Sequence, residues 1–343
     1  MSNKHLNKKM ELQKNFIFNE GYTPENILFR EEQQQKISLT FNNFFGNLLL
    51  IGRSGTGKTT TINYIMKKYA GRYLFTTASD KVSSLAVLRG LLYNPYKTTY
   101  VFLEKFVLDL MSNPRILIID EINKIHNMPD FFGMLNHVYR KVGTPIILIT
   151  NKETILKNMP EDARLTLFLQ RTYFSAYNAL ELKEIINSRL KLLEGIEVPE
   201  SAVNYISAIC TKDGSARKAI YMVSRCILAE KYDSDFVDNI EREVVKEDWE
   251  RWINSLSNTE NKFLSTLVDI YTTCSENNGE IKISEIQKHL PNHSPSRISQ
   301  LVSEFESAGI IDTKYVNRGR AGGRYRIISF SNHEIFNKLE SII

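Results

Sequence analysis

Staples, membrane anchors and repeats are all missing from this chain. Only three cysteines occur among 343 residues, at Cys210, Cys226 and Cys274, and none forms a C-x-x-C pair. Neither a zinc knuckle nor a disulfide framework is expected, and the spacing suits a reducing compartment. Long hydrophobic runs are also lacking. Stretches such as Leu48–Ile51, 116–119 and 146–149 hold four residues each, where a membrane helix needs roughly 18. The basic N-terminus, MSNKHLNKKMELQKNF, has no apolar segment of the kind a secretory signal requires. No membrane partner is expected, and the predicted location is cytoplasmic and nucleoid-associated. Neither charge sign dominates: 44 Lys and Arg face 39 Asp and Glu, a net +5. That is a weak pointer to an anionic partner, whose weight depends on where the charges lie. What is present is ordinary for a globular protein, 42% hydrophobic and 24% charged. The composition excludes a mainly disordered or fibrous chain, and the length suits two or three domains.

The polar residues 1–20 are expected to be flexible. From 21 to 175, short apolar runs at Leu48–Ile51, 73–75, 116–119, 146–149 and 172–174 alternate with helical stretches, the pattern of a parallel α/β sheet. Residues 176–254 show helical periodicity throughout, as in Leu182, Ile185, Ile186 and Leu190 or Ala219, Met222, Val223 and Cys226. Residues 255–343 change again. Helices are predicted over 259–273, 284–290, Pro295–Ser307 and 334–342, with strands over 310–316 and Arg324–Phe330.

Gly52-Arg53-Ser54-Gly55-Thr56-Gly57-Lys58-Thr59 matches G-x-x-x-x-G-K-[ST], behind a strand and ahead of a helix expected over 60–69. That context defines a P-loop. Glycines let backbone N–H groups wrap anionic oxygens at a helix N-terminus. Gly52, Ser54, Gly55, Thr56, Gly57 and Thr60 are candidate nucleotide contacts; Lys58 would reach the β- and γ-phosphates of ATP or ADP, and Thr59 would meet Mg²⁺. The run 116–119 ends in Asp120-Glu121, a Walker B pattern. Asp120 would sit near the Mg²⁺ and Glu121 would orient the attacking water. Asn151, after the run 146–149, is either a sensor of the γ-phosphate or a turn residue. Arg164 and Arg171 are each either an arginine finger for a neighbour's ATP or a solvated surface group. Arg217 opens a helix from which it could reach across to the phosphates.

The last block reads as a winged helix. Ser294 and Pro295 suit a helix start, and Ile298, Leu301, Val302 and Phe305 form a core stripe. Arg297 and Ser299 fall on the open face, where they suit contact with double-stranded DNA in a major groove. Between Thr313 and Arg326 there are five basic residues, Lys314, Arg318, Arg320, Arg324 and Arg326, and no acids. A thin, Gly-rich arginine hairpin suits a minor groove; the alternatives are a solvated hairpin and a protein contact.

Several motifs together resemble the archaeal origin-recognition initiators, the ORC/CDC-type AAA+ ATPases. Phe29-Arg30-Glu31-Glu32-Gln33 resembles the family's lead-in to the P-loop strand, and Ala163-Arg164 its box VII arginine. Phe174-Ser175-Ala176-Tyr177-Asn178-Ala179 with Leu182 resembles the approach to its lid, which makes Tyr177 a candidate nucleotide contact. Gly214-Ser215-Ala216-Arg217-Lys218-Ala219 resembles its sensor 2, and the Gly-Arg turn at 319–324 its wing. Ser215 stands where the family has Asp, Asn123 where an acid is frequent, and the stretch between Ala78 and Lys105 is short for the family's helical insertion. A divergent plasmid- or virus-borne member fits those departures. The resemblance implies a P-loop AAA+ α/β domain, an all-helical lid and a C-terminal winged helix. It implies an ATPase with slow, switch-like hydrolysis that recognises an origin and helps load a replicative helicase, with self-association through the ATPase domains. The alternatives are a transposition or partition ATPase and a signalling ATPase with a winged-helix contact module.

Overall fold

Strands that are apolar on both faces can be buried only between two layers. The computed structural model describes residues 16–19, 21–78, 83–91, 99–125, 127–193, 195–273, 280–307, 309–317, 324–331 and 333–342. It falls into two units, Met1–Ile240 and Glu241–Ile343.

In the first unit, α1 (Glu31–Asn43) leads to β1 (Leu48–Ile51), α2 (Lys58–Lys68), β2 (Tyr73–Thr77), α3 (Ser84–Leu91), α4 (Thr99–Ser112) and β3 (Ile116–Asp120). Then come α5 (Met128–Val142), β4 (Ile146–Thr150), α6 (Glu161–Leu167) and β5 (Gln170–Tyr173). The sheet order is β2-β3-β4-β1-β5, all parallel. Alternation along each strand sorts the two layers. Leu49, Leu117, Ile119 and Leu148 join Phe102, Phe106, Phe131 and Phe132 in one core. Leu50, Ile116, Ile118, Ile147 and Ile149 join Ile37, Phe41, Ile62 and Ile65 in the other. Each fully buried side chain of this kind contributes roughly 1.5–3 kcal/mol. Buried Asn47 closes the sheet's other end: its Oδ1 accepts from Ile146 N at 2.9 Å and its Nδ2 donates to Leu167 O at 2.6 Å.

Among the boundaries that differ from expectation, two have a clear physical reason. Helix α2 starts at Lys58, because Gly57 at φ +89° turns the chain and the next two P-loop residues are already helical. Strand β5 begins at Gln170, because as an edge strand it is held by backbone pairing, Leu48 opposite Gln170, while Gln170, Arg171 and Tyr173 face outward. Three helices follow, α7 (Ala179–Leu190), α8 (Glu200–Cys210) and α9 (Ala216–Ala229), packed through Leu182, Ile186, Ile206, Met222 and Val223. Asn178 and Glu181 form a capping box that sets the start of α7. The division between the units falls within α10 (Ser234–Ser255).

In the second unit, α11 (Asn258–Thr273), β6 (Ile281–Lys282), α12 (Ile283–His289) and α13 (Pro295–Ser307) precede β7 (Ile311–Asn317), β8 (Arg324–Phe330) and α14 (His333–Glu340). The antiparallel order β6-β8-β7 beside α12 and α13 is that of a winged helix. Ile298, Leu301, Val302 and Phe305 pack on Phe263, Ile286 and Ile328. Strand β6 went unread because two residues are too few to show a period. Among the described residues, no helix is long and apolar enough to cross a membrane.

Candidate nucleotide site

The P-loop leaves β1 at its C-terminal end and wraps the start of α2. Gly55 and Gly57 take positive φ, +78° and +89°, a region that favours glycine. Close packing adds a second constraint: a Cβ at Gly55 would collide with Ser215 Oγ, and one at Gly57 would lie 2.8 Å from Tyr177 Oη. Lys58 is buried, and its Nζ donates to Gly52 O at 2.7 Å and Arg53 O at 2.8 Å. Burial pushes its pKa down to about 8, partly opposed by the Asp120 carboxylate. Thr59 Oγ1 donates to Asp120 Oδ2 at 2.6 Å. Burial raises the Asp120 pKa, against the hydrogen bonds from Thr59 and Glu121 N. Glu121 sits at φ +54° and its carboxylate meets Lys124 Nζ at 2.5 Å. Asn123 Oδ1 accepts from Thr150 Oγ1 and Asn151 N, both at 3.4 Å.

The lid closes onto this loop directly. Ala216 N donates to Gly55 O at 3.1 Å, and Arg217 Nη1 to Ser54 Oγ at 3.2 Å. Ser215 caps α9 through Lys218 N at 3.2 Å. Its short hydroxyl is what fits against Gly55. One pocket is lined by Ser54, Gly55, Gly57, Lys58, Thr59 and Thr60 together with Asp120, Glu121, Asn151, Tyr177 and Arg217. Gly52 and Thr56 support the loop from behind, Thr56 through its hydroxyl on Arg53 O at 2.8 Å. Arg164 and Arg171 are not brought there. Arg164 Nη2 donates to Leu156 O and Met159 O, and Arg171 pairs with Glu153 at 3.1 Å.

Two residues escaped sequence reasoning about the site. Arg30 is buried, donates to Thr56 O at 3.1 Å and Ser175 O at 2.7 Å, and stacks over Tyr177 at 3.8 Å. It was visible only as part of a motif, with no role attached. Arg189 on α7 donates to Ile17 O at 3.0 Å and lies 4.2 Å over the Tyr22 ring. Within the segment expected to be flexible, Ile17 is therefore buried, and Phe18 and Asn19 line the pocket.

In the second unit, Ser294 Oγ caps α13 through Arg297 N at 3.2 Å. Arg297 Nη1 lies 3.8 Å from Glu304 Oε1, and Ser299 is exposed on the same helix. Arg326, one of the five basic residues between Thr313 and Arg326, is paired with Glu306 at 2.6 Å and largely buried. Arg318 and Arg320 lie outside the described residues, as does the side chain of Arg324.

The sequence profile of the AAA domain (dynein-related subfamily) matches residues 47–160. The ORC1-type DNA replication protein 1 of Archaeoglobus fulgidus is 24% identical over 89% of this chain and 85% of that protein. The ORC1-type DNA replication protein of Methanothermobacter thermautotrophicus is 24% identical over 94% of both chains. Among solved structures, the Aeropyrum pernix ORC1 protein in complex with DNA has a TM-score of 0.71 at 18% identity, covering 95% of this chain and 96% of that one. Cdc6p from Pyrobaculum aerophilum has a TM-score of 0.59 at 18% identity, covering 96% and 99%.

Proposed function

We propose that the chain is an ORC1-type AAA+ ATPase, as its similarity to the ORC1-type replication proteins and its AAA-domain match support, and that it acts as an ATP-dependent replication initiator, one that binds double-stranded DNA at an origin and helps load a replicative helicase. The observation that carries the ATP switch is the contact of the lid arginine Arg217 with P-loop Ser54, in the pocket that also holds Lys58, Asp120 and Glu121. A γ-phosphate placed there would meet Lys58 and Arg217 together, and so would report its presence to the lid.

Ser54, Gly55, Gly57 and Thr60 would cradle the phosphates, Gly52 and Thr56 would hold the loop's shape behind them, and Tyr177 would pack beside the loop. Thr59 and Asp120 fit Mg²⁺: a hydroxyl and a carboxylate 2.6 Å apart are hard oxygen donors, and this ion typically takes one or two carboxylates beside substrate phosphates. The ion, when bound, would neutralise phosphate charge. Glu121 would orient the attacking water, and Asn151 would steady it. The Glu121–Lys124 pair must open first, which fits slow hydrolysis. Arg164 and Arg171 are each either an arginine finger for a neighbour's ATP, in keeping with self-association, or a surface group held by the contacts above. Arg297, Ser299, Arg318, Arg320 and Arg324 would contact the duplex. The working division is 21–175 for the ATPase domain, 176–254 for the lid and 255–343 for the DNA-binding domain, in a cytoplasmic protein.

Calorimetry on Lys58→Ala and Glu121→Gln tests the nucleotide reading. Lys58→Ala should lose ATP binding by at least about a hundredfold, the scale of a charge-assisted phosphate contact, while Glu121→Gln keeps binding and loses turnover. Wild-type affinity in Lys58→Ala would refute it.

A further inference from the structure

The same pocket has a second wall that the phosphate machinery does not use. Tyr22, Ile185, Ser188, Ile220 and Tyr221 line it together with Arg189. Its surface is mostly aromatic and aliphatic, the kind that accepts a flat ring. Its charged group is the Arg189 guanidinium, and Arg189 is only 7% exposed. Among the described residues no carboxylate pairs with it, and its single hydrogen bond goes to the Ile17 carbonyl. Burial lowers its pKa only to about 10, so it stays charged at neutral pH.

A guanidinium has five N–H donors and no acceptor. Burying one without a counter-ion is costly unless the remaining donors are satisfied. Here one donor is used, and the group is held at a fixed tilt by Ile17 O on one side and the Tyr22 ring on the other. Arg189 lines the pocket, and none of its other nitrogens is a buried unpartnered atom. A ligand that pairs with them has to offer acceptors, and the ring-lined wall favours a flat one. The ring nitrogens N3 and N7 of a purine are such acceptors, and a pyrimidine has no counterpart of N7.

We propose that Arg189 reads the base of the bound nucleotide, donating to a purine ring nitrogen while the Ile17 carbonyl and Tyr22 fix its angle. This rests on the nucleotide reading above and adds a base-selecting residue to it. The N-terminal segment around Ile17 then belongs to the binding site, because it orients the arginine.

The test compares ATP, 7-deaza-ATP, 3-deaza-ATP and inorganic tripolyphosphate on the wild-type chain and on Arg189→Met, which keeps the apolar stem and removes the donors. Wild type should bind one of the two deaza analogues roughly tenfold to a hundredfold more weakly than ATP, the worth of one hydrogen bond to a charged group. Arg189→Met should bind ATP and that analogue equally, both at the weaker level, with tripolyphosphate affinity unchanged. Wild type indifferent to both analogues would overturn the proposal, and that arm needs no substitution, so it stands even if the variant fails to fold. An ATP affinity unchanged in a folded Arg189→Met overturns it too. Equal losses for ATP and tripolyphosphate would make Arg189 a structural residue and also refute the proposal. Wild type failing to bind both ATP and tripolyphosphate would instead refute the nucleotide reading itself.

Discussion

Three buried cations at and beside the nucleotide pocket are held differently from two arginines of the second unit. Lys58 and Arg189 in the nucleotide pocket, and Arg30 behind Tyr177, hydrogen-bond to backbone carbonyls. A carbonyl orients a cation without cancelling its charge, so that unit keeps positive potential ready for an anion. In the second unit Arg297 and Arg326 face carboxylates, Glu304 and Glu306. Those pairs are already neutralised. The first unit is thus preorganised for phosphate by its own backbone. On the proposed reading, the basic stretch between Thr313 and Arg326 would supply the second unit's charge toward a duplex.

The largest effect that would break this contrast concerns that hairpin. Replacing Arg320 and Arg324 together by Ala should weaken duplex binding about tenfold to a hundredfold. The slope of log affinity against log salt should flatten by up to about 1.8, since each phosphate contact contributes roughly 0.9. Titration of origin duplex at several salt concentrations measures both; an unchanged slope would mean the hairpin does not meet phosphate. Next in size, Arg217→Ala should erase most of the ATP-over-ADP preference, about tenfold, while ADP affinity holds. Equal losses for both nucleotides, seen by calorimetry, would make it a packing residue. Glu304→Gln should sharpen the contrast from the other side. Freed from its carboxylate, Arg297 should tighten duplex binding by a few-fold, within the range of an exposed ion pair, and a binding curve identical to wild type would show the pair to be inconsequential.

The smallest effect is a proton. Lys58 has a pKa near 8 without ligand because of burial, and a triphosphate favours its charged form. ATP binding at pH 8 should therefore take up about half a proton, and affinity should fall as pH rises above 8. Calorimetry in buffers of different ionisation enthalpy reads the uptake directly, and none at pH 8 would contradict the carbonyl-held, half-charged lysine.

Much of this was legible beforehand where a local pattern exists. Strands buried on both faces, such as β1, β3 and β4, announce themselves as unbroken apolar runs. The P-loop and the Asp120-Glu121 pair are contiguous, so their spacing carries the chemistry. Arg189 and Ile17 are different: they are 172 positions apart and meet through a main-chain oxygen, which every residue possesses and no sequence pattern marks. Strand β5 was displaced for a related reason, because pairing with β1 fixes it and its own side chains show no alternation. The pairing of Arg326 was not legible because its partner Glu306 lies on α13, 20 residues upstream.

Asn47 carries a consequence for how the molecule assembles. Its amide joins backbone groups 99 and 120 positions away, so neither bond can form until β4 and α6 have been delivered to β1. Closing loops of that length consumes chain entropy before any contact repays it. Until those segments arrive, the amide must remain in water. Its burial should therefore accompany the docking of β4 and α6 against β1 and not precede it.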